Sequence, residues 1–194
     1  RNAGYAHFVV DSNRGLGSSN PPYLETDSTA AANSNQNWIS GVGTDGFTIG
    51  INEQNLSNTS GTYVAWQWKA NGGTVTTTPN GTQTTNNMQM STKHQVNSTA
   101  GFSMCLYQGA TSYGSFYHGL GVKPDVVMIK SRNAYDWVMY HSALGYTHTV
   151  YPHTDGVGAT NTAFLSAEPD TTQVYCKDHN SVFRPLGADK YLAF

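Results

Sequence analysis

Apolar residues in this chain come in short runs of strand length, not in helical stripes. Phe47-Thr48-Ile49-Gly50-Ile51 alternates strictly and comes directly after the tight turn signal Thr44-Asp45-Gly46. Thr62-Tyr63-Val64-Ala65-Trp66-Gln67-Trp68 alternates in the same way, which predicts a strong strand with Val64, Trp66 and Trp68 facing a core. Val126-Val127-Met128-Ile129 is a continuous apolar run, the pattern of a buried central strand. Lys130-Ser131-Arg132 then returns the chain to water. Further strands are expected at Ala6–Val10, Ser103–Tyr107, Trp137–His141, Gln173–Cys176 and the closing Tyr191–Phe194. No segment holds a 3.6-residue periodicity over three turns, and Ala30-Ala31-Ala32 makes one helical turn at most. The fold class predicted is all-β, with β-sandwich, jelly-roll-like packing.

The stretch Tyr117–Arg132, reading YHGLGVKPDVVMIKSR, organises the pattern. Gly119 and Gly121 can take positive φ in a turn. Pro124 biases Lys123 to extended geometry before the strand begins. His118, Gly119, Gly121 and Pro124 are therefore assigned to a structural turn. The ring of His118 is expected to bond a backbone carbonyl and fix that turn.

The residues after this stretch repeat the start of the chain. Arg132-Asn133-Ala134 matches Arg1-Asn2-Ala3, and Tyr151-Pro152-His153-Thr154-Asp155 echoes Tyr23-Leu24-Glu25-Thr26-Asp27. Phe164-Leu165-Ser166 matches Trp38-Ile39-Ser40, and Tyr191-Leu192-Ala193-Phe194 matches Tyr63-Val64-Ala65-Trp66. Four matches in one order at a nearly constant offset indicate an internal duplication. The expected organisation is the C-terminal part of a first β module over 1–70, a polar linker or extended hairpin over 71–99, and a second module over 100–194. In the linker, partial strands are expected at Gln89–Met90 and Gln95–Val96, with Asn80-Gly81 as the turn of the hairpin alternative. No counterpart of Phe102–Ser131 precedes Arg1, so the chain reads as a piece of a longer polypeptide.

Composition changes this picture little but excludes several functions. Charged residues make up 11 % of the 194, against roughly a quarter in an average soluble domain, while aromatics reach 12 %. The net charge of −2 comes with no basic cluster. That argues against nucleic acid, whose phosphates must be neutralised by Lys and Arg. It argues equally against an anionic membrane surface. No apolar run approaches the roughly 20 residues of a spanning helix, so no membrane insertion is expected. Cys105 and Cys176, both in expected strands, read as buried free thiols.

Candidate chemistry is sparse. His141, His148 and His153 are grouped near Asp155, but strand spacing does not converge ligands, so no metal and no cofactor are expected. Asp45, Glu53, Asp125, Asp136, Asp155, Glu168, Asp170 and Asp178 fall mostly in turn contexts, where Asp bonds its own backbone. There is no G-x-S-x-G elbow and no phosphate-binding glycine loop, and no catalytic residue is assigned. The aromatics Tyr113, Phe116, Tyr117, Tyr135, Tyr146 and Tyr151 lie in or beside expected loops among Asn, Ser and Thr. They are the binding candidates, because flat rings with hydrogen-bonding neighbours suit glycan or protein contact.

The strings GFSMCLYQG, YHGLGVKPDVVMIKSR, DWVMYHSALG and TYVAWQWKANGG together resemble a β-rich module that recurs in large virion structural proteins of marine phages, cyanophages especially. Tyr117 departs from it, standing where Gly or Val is usual before the His. The resemblance implies a non-enzymatic virion structural protein, tail-fibre-like or appended to capsid or tail, located in the extracellular particle. It implies self-association into a homo-oligomer and contact with other virion proteins. The alternative is a host-surface adhesin that binds polysaccharide; a glycan depolymerase is the third reading.

Overall fold

The computed structural model describes residues 6–15, 21–34, 38–50, 56–57, 60–70, 74–79, 81, 83–84, 87–109, 113–154, 159–160, 164–184 and 190–194. The expectations placed on Arg1–Ala3, Ile51, Glu53, Asn80 and Asp155 lie outside these residues. Among the described residues the structure is all-β, with one 3₁₀ turn at Ser12–Arg14 and no α-helix.

In chain order the strands are β1 (Phe8–Val10), β2 (Tyr23–Glu25), β3 (Ile39–Val42), β4 (Phe47–Ile49), β5 (Thr76–Thr78), β6 (Gln83–Thr84), β7 (Asn87–Gln89) and β8 (Thr92–Asn97). They continue with β9 (Phe102–Gln108), β10 (Gly114–Tyr117), β11 (Val126–Ser131), β12 (Trp137–His141), β13 (His148–Thr149), β14 (Ala159–Thr160), β15 (Gln173–Cys176) and β16 (Lys190–Ala193). A six-stranded sheet runs β12-β11-β16-β9-β8-β5, and a four-stranded sheet runs β15-β10-β7-β6. Every pairing in the first is antiparallel; in the second, β10 and β7 pair parallel. The pairs β1-β2, β3-β4 and β13-β14 form small sheets of their own.

The two larger sheets pack face to face because alternate residues of their strands are apolar. Cys105 and Tyr107 of β9, Val127 and Ile129 of β11, Val138 and Tyr140 of β12, and Tyr191 and Ala193 of β16 project into one core with Phe116 of β10 and Val174 and Cys176 of β15. At its centre the Tyr107 ring stacks on Phe116 at 4.1 Å, with Tyr191 at 5.3 Å. The buried Tyr107 hydroxyl donates to the Val182 carbonyl at 2.8 Å, so it is not stranded there. Both cysteines are buried and unbridged, as the strand positions suggest. Burial pushes the Cys105 thiol up to about 12, which leaves it inert.

The opposite face of the six-stranded sheet is also covered. Leu24 of β2, Trp137 of β12 and Leu192 of β16 form a second cluster with Val9, Ala32, Met128 and Phe194 around it. The Trp137 indole N–H donates to the Glu25 carbonyl at 2.7 Å and ties β2 to this face. Lys130 lies on the same face and is fully buried, not returned to water. Its ammonium donates to the carbonyls of Ser131 (2.7 Å) and Asn133 (2.9 Å) and reaches Thr29 at 3.5 Å. The N-terminal hairpin supplies the roof that the sequence pattern alone does not reveal.

One further departure matters. Residues 61–70 form no strand, although Thr62–Trp68 has the strongest alternation in the first half. Val64, Trp66 and Trp68 are 73 %, 77 % and 62 % exposed, where the pattern places them in a core. Alternation reports which residues are suited to burial; pairing also requires a neighbouring strand, and no described strand pairs with them. In the polar stretch between, the partial strands expected at Gln89–Met90 and Gln95–Val96 fall at the end of β7 and within β8. Within 71–99, β5 and β8 join the six-stranded sheet and β6 and β7 the four-stranded one.

Segments that match in sequence share bonding. The Gly50 N–H donates to the Trp38 carbonyl at 2.7 Å, and Ile39 pairs with Ile49. The Lys177 N–H donates to the Phe164 carbonyl at 2.9 Å, and Leu165 bridges Cys176.

Candidate functional site

The richest polar geometry lies where the loop after β10 meets the segment before β15. Gly119 and Gly121 take φ of +73° and +76°, which lets the chain fold back at His118. His118 is buried, and its Nδ1 accepts the Leu120 N–H at 3.2 Å. That fixes the tautomer with the proton on Nε2, which lies 3.2 Å from the Asp170 carbonyl. The His118 carbonyl accepts from the Ser103 hydroxyl at 2.5 Å, and its N–H donates to the Thr172 carbonyl at 3.2 Å. Burial holds the His118 ring below its usual pKa; Asp170 opposes the shift and His94 adds to it.

Asp170 organises the facing segment. Its Oδ1 accepts the N–H groups of Thr172 (2.6 Å) and Gln173 (2.8 Å) and the Thr172 hydroxyl (2.8 Å); its Oδ2 accepts from Tyr175 at 2.6 Å. Burial pushes this carboxyl up, but those donors, Tyr175 foremost, outweigh it and hold it well below the carboxylate range. Two residues earlier, Glu168 accepts from Tyr140 (2.6 Å), Lys123 (2.8 Å) and the Tyr146 N–H (2.9 Å). Burial raises the Glu168 carboxyl, and the bonds from Lys123, Tyr140 and Tyr146 override it and lower it. A general acid or base works best with a pKa near the operating pH and a free proton path. The donors around these two carboxylates hold both below that range. Their geometry clamps one loop to the next.

The six aromatic candidates do not form one surface. Phe116 is 1 % exposed and stacks on Tyr107 inside the sandwich, so it touches no ligand. It sits on β10, a strand, where alternation turns it inward. Tyr146 and Tyr151 are half-buried and pack against that same core. Tyr117 and Tyr135 are half-buried, and Tyr113 is 41 % exposed. Of the histidines, the His141 Nδ1 accepts the Ala143 N–H at 3.1 Å, His148 contacts Thr147, and His153 lies 3.2 Å from Asp136. They serve separate local contacts. Among the described residues no three His, Cys, Asp or Glu side chains are placed to hold a metal ion.

Sequence reading missed two sets of residues. Lys130 looked like a strand exit and is a buried clip. Val64, Trp66 and Trp68 looked like core and are the most exposed apolar group described; Trp68 stacks on Phe102 at 5.9 Å, with Trp66 edge-on to Trp68 at 6.2 Å. The signal for the second was available in the match between Tyr63–Trp66 and Tyr191–Phe194.

A family described as a domain of unknown function, DUF7483, matches residues 1–194. No curated protein and no solved structure matches the chain.

Proposed function

The chain belongs to the DUF7483 family, and we propose that it is a non-enzymatic structural protein of a virion. In this reading it is built from tandem jelly-roll-like β-sandwich modules related by duplication, and it forms a tail fibre or an appendage of capsid or tail. It self-associates and contacts other proteins of the particle. The observation that carries the reading is how the best-bonded ionisable groups are used. Asp170, Glu168, Lys130 and His118 each bind backbone or brace a turn. The shared bonding at Trp38/Gly50 and Phe164/Lys177 supports the modular part. A low-charge, aromatic-rich chain fits assembly through packed surfaces.

The test is localisation. An antibody raised against this chain is applied to purified particles and viewed by electron microscopy. Regular decoration of the tail or of capsid appendages is expected. Particles that carry no label, with the chain also missing from their peptide mass spectra, would end the virion reading. The adhesin alternative keeps Tyr113 as its exposed aromatic. Binding on a glycan array that disappears in Tyr113→Ala would favour it.

A further inference from the structure

We propose that Thr62–Trp68 is a docking strand, which fits the central position between two strands of the β9 and β11 type, antiparallel to each of them, in another module of the same repeat. The inference rests on the duplication in the proposed function. Its starting point is the apolar stripe Val64, Trp66 and Trp68, exposed on a stretch that no described strand pairs with.

The second copy shows what covers such a stretch. Tyr191-Leu192-Ala193-Phe194 matches Tyr63-Val64-Ala65-Trp66, and β16 is held on both sides. On one side Tyr191, Leu192 and Ala193 pair with Tyr107, Leu106 and Cys105 of β9. On the other they pair with Ser131, Lys130 and Ile129 of β11. The two copies then differ position by position. Leu192 is 0 % exposed and its match Val64 is 73 % exposed. Ala193 is buried, and its match Ala65 is exposed. The contrast extends to the neighbouring hairpin, where Ile49 is 38 % exposed while Cys176, in the matching bridge, is 0 % exposed. The same residue pattern is therefore core in one copy and surface in the other.

The β9–β11 pair of this chain is already filled by β16, so it is not the partner of Thr62–Trp68. The occupant that fits is a second such pair, with an apolar inner face and backbone edges that accept an antiparallel strand. In that register Val64 and Trp66 turn to the outer face, as Leu192 and Phe194 do. Tyr63 and Ala65 turn into the sandwich, as Tyr191 and Ala193 do.

The test supplies a second such pair. A second copy of residues 101–131 is joined directly in front of Arg1, because Ser131 precedes the Arg132-Asn133-Ala134 match in the natural order. Amide hydrogen exchange over residues 63–68 is expected to slow at least 100-fold relative to the original chain. Trp emission shifts to the blue, and iodide quenching falls severalfold. The same residues in scrambled order leave all three unchanged. Val64→Asp is expected to abolish the protection in the extended chain, while the original chain, where Val64 is exposed, melts as before. Equal exchange of residues 63–68 in the original and extended chains overturns the docking strand. So does a result in which glycan binding, lost on Trp66→Ser, is the sole property these residues confer. Particle labelling is read independently, so protection without labelling sinks the virion role and leaves the docking strand standing.

Discussion

Gly119 and Gly121 are two residues apart and share nearly the same φ, yet alanine should affect them unequally. A Cβ on Gly121 meets nothing within 4 Å. A Cβ on Gly119 would lie 2.7 Å from the Val96 Cγ2 and 3.0 Å from the His94 ring. Left-handed backbone costs a non-glycine residue about 1–2 kcal/mol, and forced overpacking adds about 1–3 kcal/mol. Gly121→Ala is therefore expected to lose about 1 kcal/mol and Gly119→Ala about 3 kcal/mol. Urea midpoints at unchanged m-value check the difference; equal losses would show that the His94–Gly119 contact is slack. Lys130 allows a second prediction at this scale. Burial drives its ammonium from 10.5 down to about 8, against the pull of Asp136. A lysine whose folded pKa is depressed binds fewer protons folded than unfolded between those values. Stability should therefore rise with pH from about 8 to 10.5, and the cost of the buried charge is fully present below that window. Lys130→Met should flatten the slope, measured as the difference between variant and parent at each pH. An unchanged slope would mean that the amine reaches water. None of this burial is visible in Lys130-Ser131-Arg132, which has the polarity of an ordinary strand end. The hairpin that covers it lies about a hundred residues away in the chain.

Elements were legible where their own residues determine their environment. β9, β11, β12 and β16 of the six-stranded sheet and β15 of the four-stranded one follow apolar alternation or a continuous apolar run, and both faces of the six-stranded sheet turn out covered. The turn around His118 was legible too, because Gly-Leu-Gly and Lys-Pro restrict backbone independently of context. β8 was legible only at Gln95–Val96. Its Thr92, His94 and Gln95 are polar yet buried, held by neighbours such as the Ser12 hydroxyl, which donates to Gln95 at 2.7 Å. Polar residues at core positions defeat a hydrophobic pattern. Thr62–Trp68 failed in the opposite way, with a complete strand pattern and no described strand beside it. Asp170 and Glu168 carry a weaker signal: the turn around Asp170 was foreseen and its donors Thr172, Gln173 and Tyr175 are local, but the donors that Lys123, Tyr140 and Tyr146 bring to Glu168 from far along the chain were not. The roof over the six-stranded sheet offers a test at this scale. Trp137 is fully buried, packs with Leu24 and Leu192, and hydrogen-bonds the Glu25 carbonyl. Trp137→Ala should cost about 3–5 kcal/mol, the range for a large aromatic removed from a core. Loss should appear first as faster hydrogen exchange in β1 and β2, with the sandwich between the larger sheets opening later. Simultaneous exchange of both layers would show that roof and sandwich unfold as one unit.

At the scale of the whole molecule, histidines couple the sandwich to pH. His94 stands on β8 in the six-stranded sheet, His118 comes directly after β10 of the four-stranded sheet, and the His179 ring packs edge-on against Phe164 at 4.6 Å. Burial lowers the pKa of all three from 6.5. For His118 the Asp170 carbonyl and charge oppose the shift and His94 assists it; for His179, Asp136 and Asp178 oppose it and Arg184 assists. A histidine held below its unfolded pKa takes up fewer protons folded than unfolded, so the stability it confers is present above 6.5 and is lost as pH falls through the folded value. Geometry gives the same sign. The Nδ1 of His118 accepts the Leu120 N–H, and a proton on that nitrogen would set two donors against each other and release the turn that joins the sheets. Thermal stability should therefore hold from pH 8 to about 6.5 and then fall steadily toward pH 5, before ordinary carboxylates titrate. His118→Gln, neutral at every pH and able to accept from Leu120, should make that acid slope shallower without changing the plateau sign. A melting temperature that stays flat from pH 7.5 to pH 5 would mean that these rings are hydrated in solution, and a slope untouched by His118→Gln would mean that the His118 ring is not what holds the loop after β10 in place.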